Sequence, residues 1–296
     1  MTTQTVLMRA PYGGRGKTCD MHDIKEKTRR LMDLLGHDEE TFGVCYEDAK
    51  PDGFGPKLGE VFTREREAAG LIDWRNAWKT FSCILGNIWL ARKKKKAAWL
   101  SHSACGCMGG GFYAGLYRPC LDMNILYVTI GMPEAGMEGE HYLPSTACME
   151  MFMEAVMPPE ATGRFCVFRP LEQFTDANPP LVVNFFGRPE VLSGLYSLTM
   201  YATGDHNAVA TPFSSACGAL LAWPLVYQQR GEEKAVLGGF DLSARKYMKT
   251  DELTFSVPLP LYRKMLDVME DSALTRKVWR NARKKVSRSI NTWAGK

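Results

Sequence analysis

The residues best suited to chemistry lie in HSACGCMGGGFYAGL, residues 102–116. Cys105 and Cys107 stand one residue apart, and a thiolate is both nucleophile and metal ligand, formed more easily at a helix N-terminus. Gly106 and the run Gly109, Gly110 and Gly111 let backbone N–H groups approach a sulfur, a cluster or a flat cofactor closely. A soft metal or an iron–sulfur cluster takes three or four thiolates. Cys217 is the natural third ligand beside Cys105 and Cys107, and Cys120, Cys148 or His102 can complete the set. Without a metal, Cys105 is the candidate catalytic thiol. The plain alternative is a glycine-rich turn into a buried helix, its cysteines serving as small hydrophobes.

Arg245 follows Gly238-Gly239 closely enough to clamp a carboxylate or phosphate by a bidentate contact, the alternative being a surface salt bridge. The glycine run is not a phosphate loop, since no Gly-Lys-Ser/Thr follows, and no GxGxxG follows a strand. Glu138, Glu140 and His141 in MEGEHYL offer oxygen and nitrogen ligands or an acid–base pair. Their spacing is not HExxH and suits a solvated loop. Cys45, Cys83 and Cys166 sit inside apolar segments and read as core.

These residues need elements to position them. Residues 20–36 read as a helix, with Asp20 as N-cap, Ile24, Leu31, Leu34 and Leu35 as the apolar stripe, and Gly36 as the stop. Strands are expected at Thr41–Tyr46, in AAWLS, in DMNILYVTIG, in RFCVFRP, in PLVVNFFG, in AVLGG and in ELTFSVP. Helices are expected over 71–91, in the methionine-rich segment after MEGEHYL, over 188–204 with Pro189 in its first turn, and in PLYRKMLDVMED. In the tail, Leu274, Val278, Ala282, Val286 and Ile290 recur at steps of four, giving an apolar stripe opposite the cations.

Ser103-Ala104-Cys105-Gly106 recurs as Ser215-Ala216-Cys217-Gly218, at an offset of 112 residues. Each copy follows a strand, a helix and a short strand, so the chain reads as two related halves. Packed about a pseudo-twofold axis, equivalent loops would face each other and bring Cys217 to Cys105 and Cys107. The expected class is α/β, with mixed α+β as its variant: two strand-helix-strand-Cys halves in one domain, plus a C-terminal amphipathic helix. The divisions are an arm at 1–19, halves at 20–160 and 161–272, and a basic helix at 273–296.

The chain has 296 residues, 45% hydrophobic and 24% charged, enough for a sizeable core and unlike a disordered chain. Apolar stretches stay short of a membrane span, and the N-terminus shows no secretory h-region. Nine scattered cysteines suit free thiols in a reducing cytoplasm better than a disulfide scaffold. The net charge of +4 belongs to residues 273–296, which carry eight Lys or Arg and no acid; without them the chain is net acidic. That tail suits an acidic partner. No nucleic-acid motif accompanies it or the RKKKK run, so nucleic acid is not the expected partner.

The order of motifs resembles the domain-of-unknown-function 169 family, also labelled ArCR. The residues carrying the resemblance are GVCYEDAKPDGFG, Cys83 with Ala91-Arg92, Cys105 to Gly111, PLVVNFFGRPEVLSGLYSLTMYATG, Cys217 with Pro224, and GGFDLSARKYM with FSVP. They span roughly residues 25–270. Cys107, the RKKKK run and the basic tail depart from the family pattern. The resemblance implies a fold and a site location and brings no assigned reaction. On this reading the chain is a cysteine-site protein that binds a soft metal or iron–sulfur cluster in a redox-linked role, with an electron-transfer or small-molecule partner. The alternatives are a metal-free small-molecule-binding protein or cysteine-dependent enzyme, and a scaffold that docks its partner through the tail.

Overall fold

The computed structural model describes residues 20–56, 68–71, 83–101, 108–116, 121–156, 158–213, 215–242 and 244–284. Helix α1, Met21–Leu35, begins where the Asp20 carboxylate accepts from the Asp23 N–H at 3.0 Å and ends at Gly36, whose φ of 62° is left-handed. Its stripe of Ile24, Leu31 and Leu35 is buried. The chain continues through β1 (Phe42–Glu47), β2 (Gly53–Phe54), α2 (Ile84–Lys94), β3 (Ala97–Ser101), α3 (Met108–Tyr113), α4 (Leu121–Val128), α5 (Thr146–Ala155) and β4 (Phe165–Pro170). It then forms β5 (Val182–Gly187), α6 (Pro189–Thr203), β6 (Val209–Ala210), a π-helical turn at Gly218–Ala222, α7 (Trp223–Gln229), β7 (Ala235–Gly238), β8 (Leu253–Pro258) and α8 (Leu259–Val268).

Among the described residues eight strands form one mixed sheet, in the order β2-β3-β4-β1-β5-β8-β7-β6. Strand alternation divides the core into two layers. Phe42, Val44, Leu100, Phe168, Val182 and Phe186 face α2, α3, α5 and α7. Cys45, Trp99, Val167, Val183, Phe185, Phe255 and Val257 face α1, α6 and α8. The molecule is therefore a three-layer α/β/α sandwich, which agrees with the expected class.

The two halves are related strand by strand. Phe42 pairs with Pro170 in β1·β4, and Val182 with Pro258 in β5·β8. Ala98 pairs with Phe168 in β3·β4, and Val236 with Ser256 in β7·β8. Gly53 pairs with Ala97 in the parallel pair β2·β3, and Val209 with Ala235 in the parallel pair β6·β7. Hydrogen bonds outside the ladders repeat as well: Leu171 N–H donates to Thr41 at 2.8 Å, and Leu259 N–H to Leu181 at 2.9 Å. Since β1 and β5 meet antiparallel, with Gly43 opposite Val183, the pseudo-twofold runs through that pair, perpendicular to the sheet. β4 sits with β1, β2 and β3, so the halves join within residues 171–181 rather than between 160 and 161, the division expected from the sequence.

Three readings of the sequence change. Leu121–Val128, expected as a strand, is helix α4. Thr129 closes it by donating its hydroxyl to the Ile125 carbonyl at 2.5 Å, and the Gly131 N–H reaches the Leu126 carbonyl at 2.8 Å. A short apolar run does not by itself separate strand from buried helix. The Ser-Ala-Cys-Gly echo is not the structural repeat: Cys217 lies between β6 and β7, whereas Cys105 follows β3. Cys217 corresponds in topology to Cys83, ahead of α2, because each opens the crossover between two parallel strands. In the tail, Leu274 is buried, but Val278 is 67% exposed and Ala282 is exposed too. Trp279 and Arg283 turn inward and donate to the Leu34 carbonyl at 2.9 Å each. Leu274 lies in a separate 3-10 turn, Ala273–Thr275, that ends at the extended Arg276, so it does not share a helix face with Val278 and Ala282. Val286 and Ile290 lie outside the described residues, as does 72–82 of the helix expected over 71–91.

One ion-pair network ties the halves together. Arg92 of α2 donates to both oxygens of the buried Glu252 carboxylate, at 2.7 and 3.1 Å, and also pairs with Glu39, which in turn pairs with Lys249. His37 lies beside it. Burial holds its pKa below the ordinary 6.5, with Arg92 adding to the effect against the pull of Asp38 and Glu252. The unfolded chain therefore takes up this proton at a higher pH than the folded one. Stability should be level above about pH 7 and fall as the pH drops through 6.5 toward the folded-state value. Urea midpoints measured against pH should show that slope in the native chain and a shallower one in His37→Gln.

Candidate functional site

In a parallel β-helix-β unit, the carboxyl ends of both strands and the start of the crossover helix point to one edge of the sheet. The second half has such a unit in β6, the π-turn with α7, and β7. Thr211, Pro212 and Phe213 follow β6, Ala219 lies in the π-turn, and Gly238, Gly239, Phe240 and Asp241 end and follow β7. With Tyr142 from the first half, these residues line a cleft of ≈ 320 Å³.

Each wall has a local cause. Gly238 is required because a Cβ there would lie 2.4 Å from the Ala219 Cβ, so the π-turn rests on bare backbone. Gly239 adopts φ +87°, which favours glycine and turns the chain outward. Tyr142 is placed by a loop bonded back onto the end of α4: Glu140 N–H donates to Tyr127 at 2.7 Å, His141 N–H to Thr129 at 3.1 Å, and Tyr142 N–H to Val128 at 3.0 Å. The Tyr142 hydroxyl donates to Asp241 Oδ1 at 3.0 Å. Its ring lies 5.5 Å from that of Phe213, which packs 5.2 Å from Phe152. The Trp223 indole N–H fixes the Phe213 carbonyl at 3.2 Å. Burial, then Glu140, raises the pKa of the Tyr127 hydroxyl, so it stays protonated. The cleft therefore combines aromatic walls, a carboxylate and exposed glycine backbone, a set suited to holding a small organic molecule.

The residues singled out in the sequence fall as follows. Cys105 and Cys107, with His102 and Cys120, lie outside the described residues. Gly109, Gly110 and Gly111 wind as part of helix α3 rather than an open cradle, with the Gly110 and Gly111 carbonyls accepting from Ala114 and Leu116 at 3.0 and 2.9 Å. Cys217 is 1% exposed, directly ahead of the π-turn. The pseudo-twofold stands perpendicular to the sheet, so β3 and β7 run in opposite directions and their carboxyl ends lie at opposite edges. Even so, α3, which starts one residue after Cys107, packs against the π-turn that starts one residue after Cys217.

Arg245 donates to the carbonyls of Gly239 at 3.3 Å, Glu252 at 2.5 Å, Lys249 at 2.8 Å and Thr250 at 2.9 Å. It ties the 239–252 loop to itself and so holds Phe240 and Asp241 in place. Among the described residues no three His, Cys, Asp or Glu side chains cluster as metal ligands. Glu140 shapes the Tyr127 environment, and Glu138 and His141 lie in the same loop. Tyr142, Phe213, Phe240 and Asp241 were not singled out from the sequence. Their only signal there is Gly-Gly-Phe-Asp directly after a strand.

Cys45 and Cys166 are core, as expected. Burial pushes the Cys45 thiol up to about 12, and Glu47 adds to the rise. At pH 8 about one molecule in ten thousand carries the thiolate. Native-state alkylation followed by peptide mass mapping should leave Cys45 unmodified until the chain unfolds.

Fold and site together define a pseudo-symmetric α/β/α protein with a crevice at the carboxyl ends of parallel strands. The sequence profile of the uncharacterised ArCR family, domain of unknown function 169, matches residues 30–268. The chain belongs to that family. No curated protein and no solved structure matches it. Among the described residues no helix is long and apolar enough to cross a membrane.

Proposed function

We propose that this protein binds a small organic molecule in the crevice between Phe213, Tyr142, Phe240 and Asp241. The observation that carries this reading is the convergence of three aromatic rings, one carboxylate and two glycines on a cleft at the carboxyl ends of β6 and β7. Phe240 is 54% exposed, so its ring is open to a ligand at the mouth of the cleft. The ligand favoured by this lining is a flat or cationic organic group, held against ring faces with Asp241 as acceptor. A nuclear magnetic resonance screen of small aromatic amines should find saturable binding that shifts the 211–213 and 238–241 amides. Phe240→Ala and Asp241→Asn should each weaken it by about ten-fold or more. Absence of binding, or binding that both variants keep, would overturn the reading.

A second reading is favoured by the packing of α3 against the π-turn. These segments directly follow Cys107 and Cys217, which supports a soft-metal or iron–sulfur centre on Cys105, Cys107 and Cys217 with a redox-linked role and an electron-transfer partner. The free thiols of Cys45 and Cys148 support a reducing, cytoplasmic setting. Metal and sulfide analysis of protein purified without oxygen tests it. A visible band lost in Cys105→Ser and Cys217→Ser supports the centre, and colourless, metal-free protein rejects it. The exposed Arg280 and Lys284, beside Arg283, support an acidic partner for the 273–296 tail.

A further inference from the structure

The pseudo-twofold supplies an internal comparison at every strand position. On β5 and β8, Asn184, Thr254 and Ser256 point to the face that carries the π-turn, and none is more than 1% exposed. Both Asn184 amide atoms and the hydroxyls of Ser256 and Thr254 have no hydrogen-bond partner among the described residues. Asn184 is paired in register with Ser256, and Thr254 with Gly238. The strand registers make Val44, Phe168, Cys166 and Leu100 the counterparts of Asn184, Ser256, Thr254 and Gly238. The first half fills these positions with apolar side chains, so the sheet itself does not require polar ones. Buried polar groups without partners are rare and point to an absent ligand, ion or water.

The row lies beside the crevice, although none of its three side chains lines the cleft itself. Gly238 lines the cleft, and a Cβ on it would lie 2.9 Å from Thr254 Oγ1. Above the row the chain leaves regular α-helix: Trp223 N–H bonds the Gly218 carbonyl, five residues back, and such π-turns recur at functional sites. Nearby charge is balanced. Phe186, the register partner of Thr254, lies under the Arg92 guanidinium at 4.7 Å, and that cation belongs to the network with Glu252, Glu39 and Lys249, two carboxylates against two cations.

We infer that Asn184, Ser256 and Thr254 form the inner end of the ligand site and receive a neutral amide or lactam edge. Asn184 leaves a donor and an acceptor side by side, and a cis-amide edge satisfies both at once. The two hydroxyls can donate or accept as the ligand requires. A charged group fits less well, because no uncompensated charge faces the row. This inference rests on the crevice reading and names the part of the ligand that reaches deepest.

The probes are uracil and 2-pyrrolidone as neutral cis-amides, with acetate and methylammonium as charged controls, titrated into the full chain by nuclear magnetic resonance. Uracil is expected to bind saturably and the controls not to bind. Asn184→Val, which installs the residue the other half carries, should weaken uracil at least ten-fold while keeping the native unfolding midpoint or raising it. Ser256→Ala should weaken it less. The inference fails if neither cis-amide binds, if Asn184→Val binds uracil as well as the native chain, or if a crystal grown with uracil shows only ordered water on these atoms. Phe240→Ala separates the two readings: it should weaken aromatic-amine binding at the mouth about ten-fold or more while leaving the uracil shifts on β5 and β8. If the mouth binds amines and uracil gives no response, the inner-row inference falls and the crevice reading stands.

Discussion

Replacing Arg92 by methionine is expected to lower the unfolding free energy by about 3–5 kcal/mol. The Glu252 side chain is 2% exposed, and its two oxygens both accept from Arg92. Without the guanidinium that carboxylate stays buried with no counter-charge, which costs far more than an exposed pair is worth. Glu39 is partly relieved, because Lys249 remains beside it. Arg92 also stacks on Phe186, so its stem contributes packing that methionine largely keeps. The double variant Arg92→Met/Glu252→Leu should recover most of the loss, since an apolar pair of similar volume often replaces a buried ion pair without net cost. Urea unfolding of the native, single and double variants checks both statements. If the single and double variants unfold at the same midpoint, the loss does not come from an orphaned carboxylate.

Arg92 was visible in the sequence only as part of a family-like Ala-Arg pair and as the start of the RKKKK run, and its partners show why. Glu39 and Glu252 are far apart in the chain and meet only because α2 crosses the sheet. The same limit explains the crevice, whose residues come from positions 142, 211–213, 219 and 238–241. Local features were legible. Asp20 and Gly36 bracket α1 because their capping chemistry acts within a few residues. The apolar, β-branched and aromatic runs FCVFRP and VVNFFG read directly as β4 and β5. The existence of two halves was legible too, but through the wrong residues. A four-residue identity marked Cys105 and Cys217, whereas the true correspondence lies in strand register and leaves few identities, such as Pro170 with Pro258 and Ala97 with Ala235. Register is set by backbone pairing and by which face is buried, and both tolerate wide exchange of side chains.

That tolerance has a limit, and Val44→Asn should reveal it. Val44 is fully buried between Phe168 on β4 and Val182 on β5, its register partners. It occupies the pseudo-twofold equivalent of Asn184. If the sheet accepted an asparagine equally well at both places, the exchange would be mild. The surroundings argue otherwise: at position 44 the neighbours are apolar, and nothing corresponds to the hydroxyls of Ser256 and Thr254. Burying an unpartnered amide costs about 1–3 kcal/mol, and the lost apolar side chain adds about 1.5–3 kcal/mol. Val44→Asn should therefore lower the unfolding free energy by roughly 3–5 kcal/mol, whereas Asn184→Val leaves stability unchanged or raises it. Chemical denaturation of both variants reads this contrast directly. Equal and opposite shifts would mean that an amide costs the same on either side of the axis, and that the polarity of β5 and β8 is an accident of sequence. A loss at position 44 far exceeding any gain at 184 would mean that the second half has adapted its surroundings to hold polar groups, as a ligand-binding floor requires.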